Sequence, residues 1–385
     1  MRSKTEKRAF GVPWGRLASG LAALAMAVLF MKHSQLASAA VVKGLTLCVK
    51  TMIPSLFPFM VIAELIVHSG IGRIVARPVS RSLGRLLGVG EAASCALFLG
   101  VLCGFPVGAR AAASYYRSGE MDARELNHVL CFCNVPSSAF LLGAVGSSLF
   151  GNVRIGQMLL ALVLIAALLV GLALRFLLPH RIVTSERRGA PVPQVGVGGS
   201  LLSSAIASAA GSMQSVCATV LVFSALSGTL GQYTDALGLP EATRAVLFGL
   251  LELSTGIVEA SALPDTGAAV VLCAAMAGWA GLSVHCQILS VCDGCPVVLG
   301  WFWMSRALQC FLCGGGMWLL LHLGWLDVQE NGHGASVDTW VQESAYGRVW
   351  QTACVLAFLV AMAVWLTGKR KGGKRHEATA ARKAY

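Results

Sequence analysis

Glu64, Glu252, Glu259 and His285 stand inside stretches that are otherwise apolar, with Asn134 and Gln287 as neutral polar companions. A charge at the centre of a bilayer costs on the order of 3 kcal/mol on insertion scales, and it is normally found facing a cavity or a partner. These residues are therefore where chemistry is to be expected. Glu252 lies in "GLLELSTG" with Ser254 and Thr255 beside it, where a carboxylate could bind a proton, bind sodium or hydrogen-bond a solute. Glu64 precedes His68 by four residues, so a local pair on one helix face explains it as well as a proton-coupling role does. His285 and Gln287 point to different faces of one helix, so at most one of them lines a given cavity. The stretch "GVLCGFPVGAR" adds a different feature: Gly104, Phe105, Pro106 and Gly108 interrupt an apolar run, and Arg110 follows directly.

No nucleophile–base pairing, HExxH or phosphate-binding loop occurs, so the chain reads as a non-enzyme with no cofactor and no metal. Thirteen cysteines, many in apolar segments, behave as small hydrophobes rather than as a disulfide framework. Cys292 and Cys295, like Cys310 and Cys313, have CxxC spacing, but no strand pattern or thioredoxin-like unit surrounds them, which leaves a redox or metal role as a minor alternative.

The elements that must carry these residues are membrane helices. With 56% hydrophobic and 12% charged residues and a mean hydropathy of +0.71, the chain is not water-soluble. Its net charge of +12 gathers at the ends and in loops flanking apolar runs, a distribution that sets topology and does not point to nucleic acid. Arg73, Arg77, Arg81 and Arg85 recur every fourth residue and form a stripe suited to anionic headgroups.

Threading these runs through a bilayer predicts an all-α polytopic membrane protein with about eight transmembrane helices and two re-entrant helical hairpins in inverted repeats. Residues 1–44 hold a basic N-terminus and a first helix from Trp14 to Met31, read as an anchor although Ala37 to Ala39 resembles a cleavage site. Residues 45–178 form a first repeat: a span from Leu45 to Ser69, a hairpin from Ala92 to Tyr116, and spans from Leu126 to Phe150 and Ile155 to Leu178. If Ala92 to Tyr116 crossed, Arg117 and Arg124 would lie outside, and re-entry keeps them cytoplasmic. A Pro/Gly/Ser-rich linker, 179–200, leads to a second repeat over 201–325. There a span from Leu201 to about Leu230 precedes a hairpin at 246–264, which is too short and too polar in its middle for a span, and two further crossings. A polar outer loop at 326–346 and a last helix with a basic tail at 347–385 complete the chain, with both ends cytoplasmic.

Each half reads span, hairpin, span, span, and three crossings separate the two starts, so the second unit is inverted. Interrupted helices in inverted repeats are the architecture of secondary transporters, whose solute sits where broken helix ends converge. An unwound tip offers free N–H and C=O groups and a helix dipole end, which can hold an anion, a nucleoside-like ring or a cation.

The segments "IPSLFPF", "GVLCGFPVGAR", "CFCNVPSSAFLLGAVG", "GLLELSTG" and "GLSVHCQILS" resemble sporulation integral membrane proteins of the YlbJ type, within the wider group that carries the nucleoside-recognition Gate domain. The likeness covers about residues 45 to 325. It implies a multi-pass protein of the bacterial cell membrane, extending to the mother-cell-derived membrane around the forespore, similar in fold to concentrative nucleoside transporters. It further implies a role in moving a small aromatic anion, dipicolinate, during spore formation. The expected site comprises Gly104, Phe105, Pro106, Gly108, Arg110, Asn134, Glu252, Ser254, Thr255 and Gln287. The expected partners are a small-molecule solute, anionic lipid, and a homo-oligomeric or other membrane-protein partner. A nucleoside transporter and a non-transporting Gate-type subunit remain the alternatives. Two departures from the family pattern stand out: Phe105 replaces the usual tyrosine, and "VPSS" follows Cys133-Asn134 in place of a second Asn and a Gly-Pro.

Overall fold

A computed structural model describes residues 14–49, 53–69, 71, 77, 80–138, 140–177 and 199–326, and the described residues contain helices and no strand. In chain order, α1 (Trp14–Lys32) meets α2 (Ser34–Leu47) at a bend of 101°, and α3 (Ile53–His68) follows with Pro58 in its interior. Short helical turns over Ser80–Gly84 and Arg85–Leu87 lead into α4 (Glu91–Cys103) at a second bend of 104°. Next come α5 (Val107–Ser118), α6 (Ala123–Leu130), a wide π-type segment Phe140–Leu149, and α7 (Val153–Leu177). The remainder is α8 (Gly199–Ala236), α9 (Glu241–Leu251), α10 (Leu253–Ser261), α11 (Thr266–Trp279), α12 (Gly281–Val291) and α13 (Leu299–His322).

Local signals set several of these boundaries. The Asp122 carboxylate accepts the Glu125 N–H at 2.7 Å and starts α6, and Asp265 accepts from Ala268 at 3.1 Å to start α11. Gly119, at φ 86°, ends α5 in the left-handed conformation that glycine adopts without a Cβ penalty.

Burial is reversed relative to a water-soluble protein. Phe176 is 74% exposed and Phe311 76%, with Leu21, Leu24, Val28, Ile165, Leu169, Trp303 and Trp318 also facing outward, while Glu64, Arg110, Asn134, Glu252, His285 and Arg306 are buried. An apolar exterior around buried polar groups is the arrangement that lipid imposes. Val153–Leu177, Leu201–Ala236 and Thr266–Val291 are each long and apolar enough to cross a membrane, and the two bent pairs raise that number to five among the described residues.

Small residues bring helices to close approach, as is usual between membrane helices. A Cβ at Gly278 of α11 would lie 2.5 Å from the Gln309 carbonyl oxygen of α13. Along α8, α2 runs antiparallel: His33 Nε2 and Tyr233 Oη are 2.7 Å apart, a Cβ at Gly228 would lie 2.4 Å from Ala40 Cβ, and one at Gly44 would lie 2.7 Å from Ser224 Oγ.

Two helices expected to be continuous are broken. The span expected from Leu126 to Phe150 ends as an α-helix at Leu130, runs irregularly through Pro136, and resumes as the π-type segment at Phe140. Proline has no N–H to donate and disfavours helix in the residue before it. The span through 266–291 is interrupted at Ala280, whose φ is 74°. The 101° bend likewise separates α2 from the expected first helix. Residues 1–13, linker residues 178–198, the outer loop from 327, the last helix with its tail, and Arg73 of the basic stripe lie outside the described residues.

Candidate functional site

The first tip lies between α4 and α5. These helices pack side by side because neither Gly100 nor Gly108 carries a side chain: a Cβ on Gly108 would lie 2.8 Å from Gly100 Cα and 2.7 Å from the Cys133 carbonyl oxygen. Gly104 turns the chain at φ 79°, and a Cβ there would meet Ser137 N at 2.7 Å. Phe105, half-buried, donates its N–H to the Val135 carbonyl at 2.9 Å, and the Phe105–Pro106 peptide is cis. The tip is therefore seated on the broken stretch between α6 and the π-type segment. The pair closes as a hairpin, since Glu125, in the first turn of the following helix α6, accepts the N–H of Gly90, just before α4.

The second tip repeats this design with different residues. Gly249 of α9 and Gly256 of α10 touch backbone to backbone, and a Cβ on Gly256 would lie 2.1 Å from Gly249 Cα. Glu252 forms the tip, with extended backbone at φ −145° and ψ 123°. Its Oε2 accepts both the N–H of Thr255 at 2.7 Å and its hydroxyl at 2.9 Å, capping α10. The tip sits on the other broken helix, where a Cβ at Gly281 would lie 2.8 Å from Leu253 N and 3.2 Å from Glu252 Cα. At the far end Arg244 of α9 bonds Glu259 of α10 at 2.9 Å, so this pair too is a hairpin. Glu259, read from the sequence as an intramembrane charge, is thus a half-buried ion-pair partner.

At each break, side chains hold the freed carbonyls. His285 Nε2 lies 2.8 Å from the Trp279 carbonyl oxygen that the interruption at Ala280 leaves over. Arg306 of α13 donates through Nη1 to the Asn134 carbonyl at 2.6 Å and through Nη2 to the Cys131 carbonyl at 2.7 Å, which also accepts from Gln309 Nε2 at 2.7 Å. Irregular backbone survives at membrane depth only with such partners. Asn134 Oδ1, Arg306 Nε and His285 Nδ1 are buried and have no hydrogen-bond partner among the described residues.

Arg110 lies one turn beyond the first tip, its N–H bonded to the Pro106 carbonyl at 2.9 Å. Its side chain does not present a free charge: Nε bonds the buried Glu64 carboxylate of α3, and Nη2 bonds Ser208 Oγ of α8 at 2.6 Å. Glu64, weighed from the sequence as a partner of His68, is an ion-pair partner of Arg110.

The structure brings Gly104, Phe105, Pro106 and Gly108 together with Asn134 at the first tip, and Glu252 with Thr255 at the second. Ser254 is half-buried beside Glu252. Gln287 is buried and donates to Ser283 Oγ of its own helix at 3.3 Å. Helices α5 and α12 meet where Arg117 donates to the carbonyls of Val291 at 2.9 Å and Asp293 at 2.8 Å. Cys292 is buried and Cys295 half-buried, and no group of three His, Cys, Asp or Glu residues able to hold a metal occurs among the described residues.

Sequence reasoning passed over Arg306, Gln309 and Ser208. The available signal was Arg306 itself, an arginine in a 24-residue apolar helix.

Across 313 residues the chain is 24% identical to the sporulation integral membrane protein YlbJ of Bacillus subtilis (strain 168), an alignment covering 72% of this chain and 76% of that protein. No family model matches the chain, and no solved structure matches it. The expected resemblance to a YlbJ-type protein therefore holds over most of the chain. With an integral membrane relative and several apolar helices, this is a multi-pass membrane protein.

Proposed function

We propose that this chain, as a YlbJ-type membrane protein, is a transporter or facilitator for a small organic solute in spore formation, with an aromatic anion such as dipicolinate as the favoured cargo. The observation that carries this reading is the pairing of each hairpin tip with a helix break in its own half. The Phe105 N–H reaches the Val135 carbonyl at 2.9 Å, and Glu252 lies against Gly281, where a Cβ would come within 3.2 Å of Glu252 Cα. Broken ends meeting inside the membrane are how secondary transporters bind their solutes.

An inverted repeat is supported by the order of helices and by the direction of their leaders. In each half a helix precedes a hairpin, a broken helix and a long helix: α3, α4 with α5, α6 with the π-type segment, α7; then α8, α9 with α10, α11 with α12, α13. The α2–α8 contacts descend along α8 as the chain ascends, from His33 with Tyr233 to Gly44 with Ser224. The trend continues into α3, where Glu64 shares the Arg110 guanidinium with Ser208. Antiparallel leaders are what inversion requires. On this reading about eight crossings flank two re-entrant hairpins, and the protein resides in the mother-cell-derived membrane around the forespore.

Uptake of labelled dipicolinate and of a nucleoside panel into proteoliposomes tests the proposal. Saturable dipicolinate uptake is expected. Absence of flux for every solute, from protein that unfolds cooperatively, overturns it in favour of a non-transporting subunit.

A further inference from the structure

We infer that Arg306 supplies the positive charge that selects an anionic solute at the paired tips, an inference that rests on the transport reading above. Two buried arginines lie near the first tip, and they differ in what surrounds them. Arg110 is neutralised by Glu64. Arg306 is 1% exposed, bonds only the Cys131 and Asn134 carbonyls, and has no carboxylate partner among the described residues.

Satisfying those carbonyls does not call for a charge, because Gln309, a neutral donor, bonds the same Cys131 oxygen at 2.7 Å. Nor do they cancel it: a helix C-terminus carries about half a negative charge. A net positive charge therefore remains in a low-dielectric interior, where it is weakly screened and acts over several ångströms. Its place is set by two bonds. Arg306 Nη1 holds the Asn134 carbonyl, and the next carbonyl, that of Val135, holds the Phe105 N–H of the first tip. Arg306 Nε and Asn134 Oδ1, on the residues that form this junction, have no hydrogen-bond partner among the described residues. A carboxylate arriving at the tips is stabilised by this charge, an uncharged analogue is unaffected, and a cation is repelled. The solute class is a small organic carboxylate.

The test uses the full chain in proteoliposomes and compares uptake of labelled pyridine-2,6-dicarboxylate with that of its uncharged diamide. Wild type is expected to prefer the dicarboxylate. Arg306→Gln removes the charge, and Gln309→Glu neutralises it while leaving the arginine in place. Each is expected to lower the dicarboxylate-to-diamide ratio about tenfold or more, whereas Arg306→Lys retains the preference. A purely structural arginine predicts that both fluxes fall together at constant ratio, and that result overturns the inference. Should Arg306→Gln not fold, Gln309→Glu decides: an unchanged ratio in that variant overturns the inference as well. A wild-type protein that moves neither solute removes the transport reading, an outcome distinct from a ratio that ignores the charge at Arg306.

Discussion

Glu64 and Arg110, 46 residues apart, form a buried ion pair that joins α3 to the returning arm of the first hairpin, and Ser208 of α8 takes a further bond from the same guanidinium at 2.6 Å. One side chain thus ties together three helices, α3, α5 and α8. Removing a single partner of a buried pair leaves a charge without compensation, at a cost of about 3–5 kcal/mol. Arg110→Ala is expected to lower the apparent Tm of the detergent-solubilised protein sharply. The double variant Glu64→Gln/Arg110→Met should recover part of that loss, because no charge is then stranded. Equal losses in thermal unfolding of the single and double variants would count against the pair.

The glycine contacts within the hairpins make a second prediction. A Cβ on Gly256 would lie 2.1 Å from Gly249 Cα, and both atoms belong to backbone that cannot step aside locally. Gly256→Ala should therefore splay α9 from α10 and abolish both folding yield and solute uptake. Gly211→Ala serves as control, since a Cβ there meets nothing within 4 Å. Replacing glycine by alanine inside a helix gains about 0.5–1 kcal/mol. Expression and thermal unfolding of the two variants, side by side, separate contact from propensity.

Glu252 caps α10, and substitution can separate that contact from the solute-binding role proposed for its carboxylate. Its Oε2 caps α10 through Thr255, a role the amide oxygen of glutamine can fill. Glu252→Gln is expected to keep its unfolding free energy within about 1 kcal/mol of wild type, while uptake changes with loss of the carboxylate. Glu252→Ala removes the cap and should cost about 0.5–2 kcal/mol in addition. Equal uptake by wild type and Glu252→Gln would confine Glu252 to capping.

The hairpin tips were legible in the sequence because the residues that make them are unusual for a membrane run: Gly104, Pro106 and Gly108 in one, Glu252 in the other. The partners of the buried arginines were not. Glu64 lies 46 residues from Arg110, and Asn134 lies 172 from Arg306, separations that no local pattern reports. The break at Ala280 was hidden because "GWAGLS" carries no proline, and the left-handed φ of 74° falls on an alanine. Pro136 did announce the break before the π-type segment. It was read as part of a continuous span because the surrounding run was long enough to cross.

Sidedness offers a test of the hairpin reading. Glu91 and Ser118 are exposed and stand at the open ends of α4 and α5. Glu91→Cys and Ser118→Cys should both react with a membrane-impermeant maleimide from the cytoplasmic face and from that face alone. Labelling from opposite faces would mean that 92–116 crosses the bilayer.

On the proposed function, the two tips and the two breaks together hold a solute. A cryo-electron microscopy map of the full chain at saturating dipicolinate tests it most directly. The account predicts solute density bounded by Phe105 and Asn134 on one side and Glu252 on the other, within reach of the charge on Arg306. Density at another place on the protein, or none at saturation, would contradict it.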